Sequence, residues 1–545
     1  MNFKKYIVSG AVLLCGLGMT SCLGDLDQEP KLDKSSNSIH NEVDCQSFLA
    51  KIYSGFGLSG NSSDASVEPD LQGADQGALV FLRGLISLQV LPTDEAIWNW
   101  TDEGIVELCT VGWNYTLPYS YTFYQRAMLN IRYCKEFLSV YAKDDEIIPN
   151  LKQFRDEVRG IRAMNYYYLI DLYRNPGVVW DDSPTDDKSW KPSQIGTEAI
   201  FDKIVKELVD LSENGNLPET PTMATYGRMT KPVINTLLAK MYLNAETYIG
   251  RAMYDEAAKY AKKVIDAGFG LENHYADLFC GENHLTGIHK NEIIYAIPFD
   301  HVNAKSFGSS IMVTAAAFGG DLNPTWFGLT SSWTCLKPTQ QMIDLFKDSP
   351  DDGTDEHGSK RKKDKRYIFF DNKGKRSPVS KMQDWYSGYL CHKFTNLGWG
   401  GAGVTPTPDP DTDFPLFRLP DLYLIYAECA VRGASGSDIN TAVGYVNQLR
   451  ERAYGDQSGN ISAANLTLDF ILAERGRELY WEGQRRSDLV RFGKFTEDYA
   501  WAYKGGTLEG VAHLDKRFNI YPFSDRDLTA NPNLKQNPGY ETLNK

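Results

Sequence analysis

The chain is short of the residues that build chemical centres. Eight histidines are scattered through 545 residues, no H-E-x-x-H occurs, and the nine cysteines include no C-x-x-C pair. Neither a zinc site nor a disulfide framework is expected; Cys45, Cys109, Cys134, Cys280, Cys335, Cys391 and Cys429 read as small buried apolar residues. Positive charge is also in deficit. Lys and Arg number 57 against 71 Asp and Glu, a net charge of −14, which disfavours nucleic acid as a partner. The one basic block, Lys360-Arg361-Lys362-Lys363-Asp364-Lys365-Arg366, lies among Asp and Gly and reads as a solvated loop. Beyond the first residues no apolar run approaches the roughly 18 that span a bilayer. The loop Glu282-Asn283-His284-Leu285 is too poor in acids for calcium, so no metal or cofactor is expected.

Aromatic residues, in contrast, make up 12% of the chain. The stretch that organises the reading is Leu91-Pro92-Thr93-Asp94-Glu95-Ala96-Ile97-Trp98-Asn99-Trp100-Thr101-Asp102-Glu103. If it is extended, Trp98 and Trp100 project to one face, because side chains alternate along an extended chain. A helix would splay them by about 200°, and Pro92 opposes a helix that starts earlier. Two indoles ringed by Asp94, Asn99, Asp102 and Glu103 would suit a sugar, whose C–H face lies on a ring while its hydroxyls reach a polar rim. The alternative places both tryptophans in the core, where Trp is mostly found.

The start of the chain reads as an export signal. Lys4 and Lys5 precede a short apolar run, Tyr6 to Leu17, that closes on Met19-Thr20-Ser21-Cys22 and resembles a bacterial lipobox. Residues 1–22 are thus expected to be a lipoprotein signal peptide, with Cys22 lipidated, and residues 23–40 an acidic, flexible tether.

From 41 to 268 the spacing predicts helices over 43–56, 121–141, 151–173, 199–211, 233–248 and 254–265. Gly60 to Gly84 reads as a long ordered loop. Small and large residues alternate between 233–248 and 254–265, the tetratricopeptide device for close helix packing, although its strict Trp, Gly and Pro positions are missing. Residues 269–416 lose the helical period and are expected to form a large loop-rich layer, too long for one connection, where binding residues tend to sit. Helices return over 418–430, 439–452 and 466–481.

The C-terminal region, 417–545, carries a specific pattern. Phe417-Arg418-Leu419-Pro420-Asp421-Leu422-Tyr423 leads to Tyr445-Val446-Asn447-Gln448-Leu449-Arg450-Glu451-Arg452. Next comes Glu474-Arg475-Gly476-Arg477-Glu478-Leu479-Tyr480-Trp481-Glu482-Gly483-Gln484-Arg485-Arg486-Ser487-Asp488-Leu489, and Asn537-Pro538-Gly539-Tyr540 closes the chain. In order and spacing these resemble the SusD/RagB family of Bacteroidetes outer-membrane lipoproteins. On their own terms, Glu474, Glu478 and Glu482 among so many arginines imply partly buried ion pairs. Those arginines would keep both glutamates of any Glu474/Glu478 hydrolytic pair ionised, leaving no proton donor, so no enzyme is expected.

The resemblance implies a mainly α fold, a tetratricopeptide-like helical-hairpin scaffold with the irregular part packed on it. It also implies a non-catalytic, lipid-anchored protein of the outer-membrane surface that serves a SusC-type TonB-dependent transporter. The stretches around Pro92 and Pro69 further resemble the starch-binding members. By that likeness Trp98 and Trp100 fall on sugar-stacking tryptophans, and Asp75 and Arg83 on polar partners of sugar hydroxyls. Phe307 stands where those members have a tyrosine, Glu103 where they have an asparagine, and Trp333 on a further tryptophan. Starch or malto-oligosaccharide is the implied ligand; another glycan, a peptide, or a mere transporter lid are the alternatives.

Overall fold

Apolar spacing sets the helices of the first half. A computed structural model describes residues 41–60, 68–142, 148–184, 187–220 and 222–541; the expected signal peptide, Cys22 and the expected tether lie outside them. Helix α1 (Glu42–Ser54) starts at Asn41, whose side chain accepts from the Asp44 N–H. α2 (Phe81–Gln89) and α3 (Ile105–Thr110) flank the tryptophan stretch. Then come α4 (Pro118–Val140), with proline in its first turn, α5 (Leu151–Tyr173), α6 (Thr197–Asn214), α7 (Lys231–Leu243), α8 (Ala245–Ile249) and α9 (Tyr254–Ile265). Short α10 (Gln340–Asp344) lies inside the irregular layer, and α11 (Leu419–Val431), α12 (Ile439–Tyr454), α13 (Leu468–Leu479), α14 (Arg485–Arg491) and α15 (Asp525–Ala530) follow it.

Two expectations need correcting. The loop to Gly84 ends earlier, because α2 begins at Phe81. Helix α2 is only nine residues long with Gly84 inside it, and all nine are buried, the polar Arg83, Ser87 and Gln89 included. The helix over 233–248 breaks at Asn244. Its side-chain amide donates to the Lys240 carbonyl while its Oδ1 accepts from Arg491, which ends one helix and starts the next.

Consecutive helices pack as neighbours, α4 on α5, α5 on α6, α6 on α7, α7 on α9, α9 on α11 and α11 on α12. The 269–416 layer is inserted between α9 and α11. Eight short strands, β1 (Ala96–Trp98), β2 (Ile293–Ile297), β3 (Leu336–Pro338), β4 (Asp351–Thr354), β5 (Lys360–Lys362), β6 (Phe369–Phe370), β7 (Leu390–Cys391) and β8 (Phe414–Arg418), pair antiparallel among the described residues: β1 with β3, β2 with β8, β4 with β5 and β6 with β7. The β2–β8 pair clamps the two ends of the layer, and every residue of both strands is buried. All seven described cysteines are free and buried.

The layer is joined to the helices by ions that are wholly, not partly, buried. Arg418, at the end of β8, donates to Glu482 and Glu292 at 2.8 Å and to Glu478 at 3.1 Å. Arg366 donates to Glu474 at 2.8 Å and to Glu478 at 3.1 Å. It belongs to the basic block read as solvated, yet it is buried; Lys360 and Lys363 pair at the surface with Asp351 and Asp456. Burial alone would raise the Glu478 pKa, but Arg452, Arg418 and Arg366 outweigh it and hold it down to about 2.

Because this pKa lies below the ordinary 4.5, the Glu478 contribution is present above about pH 4.5 and is lost as pH falls towards 2. Glu478→Gln should therefore cost about 3–5 kcal/mol in urea unfolding at pH 7, and the gap to the parent should narrow at pH 3. An equal loss at both pH values would contradict the assignment.

Candidate functional site

The tryptophan stretch is held from behind before it reaches the surface. Asp94 and Glu95, just ahead of β1, are both buried. Asp94 takes a two-pronged pair from Arg485, both contacts at 2.7 Å, and a hydroxyl from Tyr499 at 2.8 Å. Glu95 accepts from the Trp481 N–H at 3.0 Å. The C-terminal motif thus holds the entrance to β1. On its other side β1 pairs with β3 in the register Ala96↔Pro338, Ile97↔Lys337 and Trp98↔Leu336. The Asn99 N–H continues the ladder to the Cys335 carbonyl at 3.0 Å, which brings Trp333 beside Trp100.

The two indoles do not form a flat, open pair. Trp98 is 1% exposed and belongs to the main core, as do its β1 neighbours, so the strand has no wet face. Trp100 lies past the end of the strand and is half-buried. Their rings touch edge to face, 5.5 Å apart at 87°. Trp98 therefore supports Trp100 from below rather than extending it sideways. Asp94 and Asn99 are buried as well, so of the expected polar rim only Asp102 and Glu103 are exposed.

What lies next to Trp100 comes from the irregular layer. The Trp333 ring lies 5.7 Å away, tilted by 37°, and the Trp385 ring 6.3 Å away at 26°. Trp333 is half-buried between the main core and a smaller cluster around Phe318 and Phe327, whereas Trp385 is 48% exposed. Sequence reading missed Trp385 and its neighbour Tyr386. The available signal was Asp384-Trp385-Tyr386-Ser387, two large rings in a polar loop with no apolar period to bury them.

Asp75, Arg83 and Phe307 form a second group. The Asp75 carboxylate, 58% exposed, accepts from the Gly77 and Ala78 N–H groups and pairs with Arg83 at 3.0 Å. Arg83 is otherwise buried, on α2, with its charge felt at Cys335 beside β3. The Phe307 ring is 51% exposed. Its loop lies so close to Gly77 that a Cβ there would meet the Phe307 carbonyl at 2.8 Å, which excludes larger residues. Glu103 stands exposed just before α3, close enough to Tyr121 to raise its pKa alongside the larger effect of burial. The structure thus joins Trp98, Trp100 and Trp333 directly, and joins Asp75, Arg83 and Phe307 to one another near the Cys335 end of β3.

The carboxylates considered for catalysis face no cleft. Glu474 and Glu478 are 0% exposed, and Arg366, Arg450 and Arg477 outweigh burial to hold Glu474 far below the carboxylate range. A cavity of about 640 Å³ lies between α4, α5 and α6, with Arg159 tied to Glu207 at 3.0 Å; it shares no residue with the indole cluster.

Burial pushes the Glu95 pKa up to about 8, more than Arg485 and the Trp481 N–H pull it down. The sign follows. From about pH 4.5 to 8 the folded chain keeps a proton that the unfolded chain releases, so this contribution is present below the ordinary 4.5 and is lost as pH rises through 8. Glu95→Gln, which keeps the acceptor and cannot ionise, should cost less than about 1 kcal/mol at pH 5 and be more stable than the parent at pH 9. Equal pH slopes in thermal unfolding would refute a protonated Glu95.

Comparison with known proteins is consistent across three kinds of match. A profile of the SusD family matches residues 291–540. The starch-binding protein SusD of Bacteroides thetaiotaomicron is 30% identical, over 99% of this chain and all of that protein. A SusD-like protein of Bacteroides ovatus is 23% identical over 71% of this chain and 75% of its own. Among solved structures, a laminarin-binding SusD-like protein superposes with a TM-score of 0.66 at 20% identity, over 92% of this chain and all of that one. The surface glycan-binding protein A of Bacteroides thetaiotaomicron, in complex with laminarihexaose, gives 0.67 at 18% identity, over 91% of this chain and all of that one.

Proposed function

The chain belongs to the SusD family, and on that footing we propose that it is a non-catalytic glycan-binding lipoprotein of the cell surface. It captures starch or malto-oligosaccharides on the Trp100–Trp333 surface, is anchored through Cys22 to the outer membrane, and hands its ligand to a SusC-type TonB-dependent transporter. The observation that carries the reading is the indole cluster itself, partly open rings on a rigid base; the Asp75–Arg83 pair and the exposed Phe307 ring form a second group. Trp98 serves as the base and not as a contact.

Ring tilt supports a turning chain. A flat, ribbon-like polysaccharide suits coplanar rings, whereas the 37° tilt between Trp100 and Trp333 suits one that rotates from unit to unit. Both α-1,4-glucans and β-1,3-glucans turn in this way. The full-length relative named for starch favours the first; the laminarin-binding neighbours make β-1,3-glucan the second reading.

The energetics suit capture rather than tight retention. A ring covering roughly 50 Å² of sugar C–H surface contributes about 1–1.5 kcal/mol. A few exposed hydrogen bonds add about 1 kcal/mol each, and ordering the chain subtracts from both. Micromolar to millimolar affinity results, and a polymer that bridges many anchored copies gains by avidity.

Affinity electrophoresis tests the reading. The parent should be retarded by amylopectin, less by laminarin, and not by inulin or xylan. Trp100→Ala and Trp333→Ala should each weaken binding about five- to tenfold, in line with about 1–1.5 kcal/mol per ring. Trp98→Ala should instead lower stability by about 3–5 kcal/mol, as the loss of a core tryptophan does. Retardation that survives Trp100→Ala would remove the site, and retention on no glycan would favour the transporter lid. Cys22→Ser should release the protein from the membrane fraction.

A further inference from the structure

The loop that carries Trp385 and Tyr386 is fixed by an unusual device. Lys337, opposite Ile97 in the β1–β3 pair, is 0% exposed and has no carboxylate within ion-pair distance among the described residues. Its ammonium donates instead to three main-chain carbonyls of that loop: Asp384 at 3.0 Å, Trp385 at 2.7 Å and Ser387 at 2.6 Å. All three N–H donors of a lysine are thereby matched to three acceptors. Further supports surround this latch. Arg376 donates to the Gly388 carbonyl at 2.8 Å and is itself paired with Asp321. Val379 and Met382 point into the core. Gly388, with φ at +94°, passes so close to Lys337 that a Cβ would meet its side chain at 3.1 Å.

A buried cation with no anion is costly, and a loop held only for its own stability could use apolar side chains alone. The latch fixes the main chain at 384–387, and with it the two rings that point outwards, Trp385 at 48% and Tyr386 at 85% exposure. One of those rings already lies against Trp100. A fixed main chain keeps exposed rings in place at little entropic cost on binding, which is the gain from preorganisation.

Resting on the glycan reading above, we propose that the 376–388 loop is a second arm of the saccharide site. Trp385 and Tyr386 each contact an additional sugar unit, and Lys337 is the positioning residue that holds them in line with Trp100. The arm sets the length of chain the site recognises. A short oligosaccharide covers Trp100 and Trp333, and a longer one reaches the arm.

The test is calorimetric titration with maltotriose and maltoheptaose, and with laminari-oligosaccharides of the same two lengths. In the parent, affinity should rise at least about fivefold from trimer to heptamer, the increment of roughly one stacked ring. Trp385→Ala and Tyr386→Ala, both surface changes, should abolish most of that rise and leave the trimer unaffected. Lys337→Met should do the same and also open 380–387 to limited proteolysis.

Should Lys337→Met fail to fold, pH replaces it. Burial first and Arg376 second, against Asp384 and the Cys335 thiol, lower the Lys337 pKa to about 8, and a neutral amine has two N–H groups for three carbonyls. Heptamer affinity should then fall between pH 7 and 9 in the parent and hold steady in Trp385→Ala. An unchanged length profile in both arm variants would overturn the arm. Arm variants that respond while neither Lys337→Met nor pH has an effect would overturn the latch. No binding of any oligosaccharide by the parent would instead strike the glycan reading itself.

Discussion

A lattice of buried arginines and carboxylates is the constraint on which the rest of the molecule depends. Arg366 from the irregular layer, Arg418 from the strand that closes it, and Arg452 from α12 converge on Glu478. Arg475 joins Asp421 to Asp488, and Lys240 reaches Asp421 from the helical scaffold. Ions so fully removed from water are tolerable only when each is paired with an opposite charge or fully hydrogen-bonded. The layer, the hairpins and the C-terminal helices therefore take one relative arrangement. A separate buried pair, Arg485 with Asp94, ties the C-terminal motif to the entrance of β1. The position of Trp100 at the surface is a consequence of ion pairs far from it in sequence.

This explains how a protein can hold rings open to water without losing them to the core. Trp98 is buried beneath Trp100, the β1–β3 ladder sets the height of Trp333, and Lys337 sets the position of Trp385. Exposed indoles are unfavourable unless something uses them, and these rest on a strand tied to the C-terminal motif through Asp94 and Glu95. Asp75, and Asp102 and Glu103 just past Trp100 in the chain, are exposed carboxylates, hydrogen-bond acceptors for hydroxyl-rich ligands.

The scaffold was legible because its signals are local. Helices α6 and α9 show one apolar face each, and they, α4 and α5 lie within a few residues of where spacing places them. Helix α2 was hidden because it is only nine residues long, carries Gly84 and directly follows a Gly- and Asp-rich stretch. The Glu474–Asp488 motif announced ion pairs, but not that Arg366 would leave a basic surface block to join them, since pairing across 108 residues has no local trace. At the site, alternation brought Trp98 and Trp100 together but wrongly exposed Trp98, because β1 is buried on both faces and ends there; Trp100, past its end, is half-buried. Trp385 and Tyr386 were legible as two rings in a polar loop, but their place beside Trp100 could be found only once β3 and its lysine were seen to reach the 384–387 main chain.

The central claim, that Trp100 and its neighbours lie flat against sugar C–H faces, is tested most directly by saturation-transfer NMR on bound maltoheptaose. If it holds, irradiating aromatic protons should saturate the C–H protons of one pyranose face far more than those of the other, and the contrast should vanish in Trp100→Ala. Even saturation around the rings, or a contrast that persists without the Trp100 ring, would contradict it.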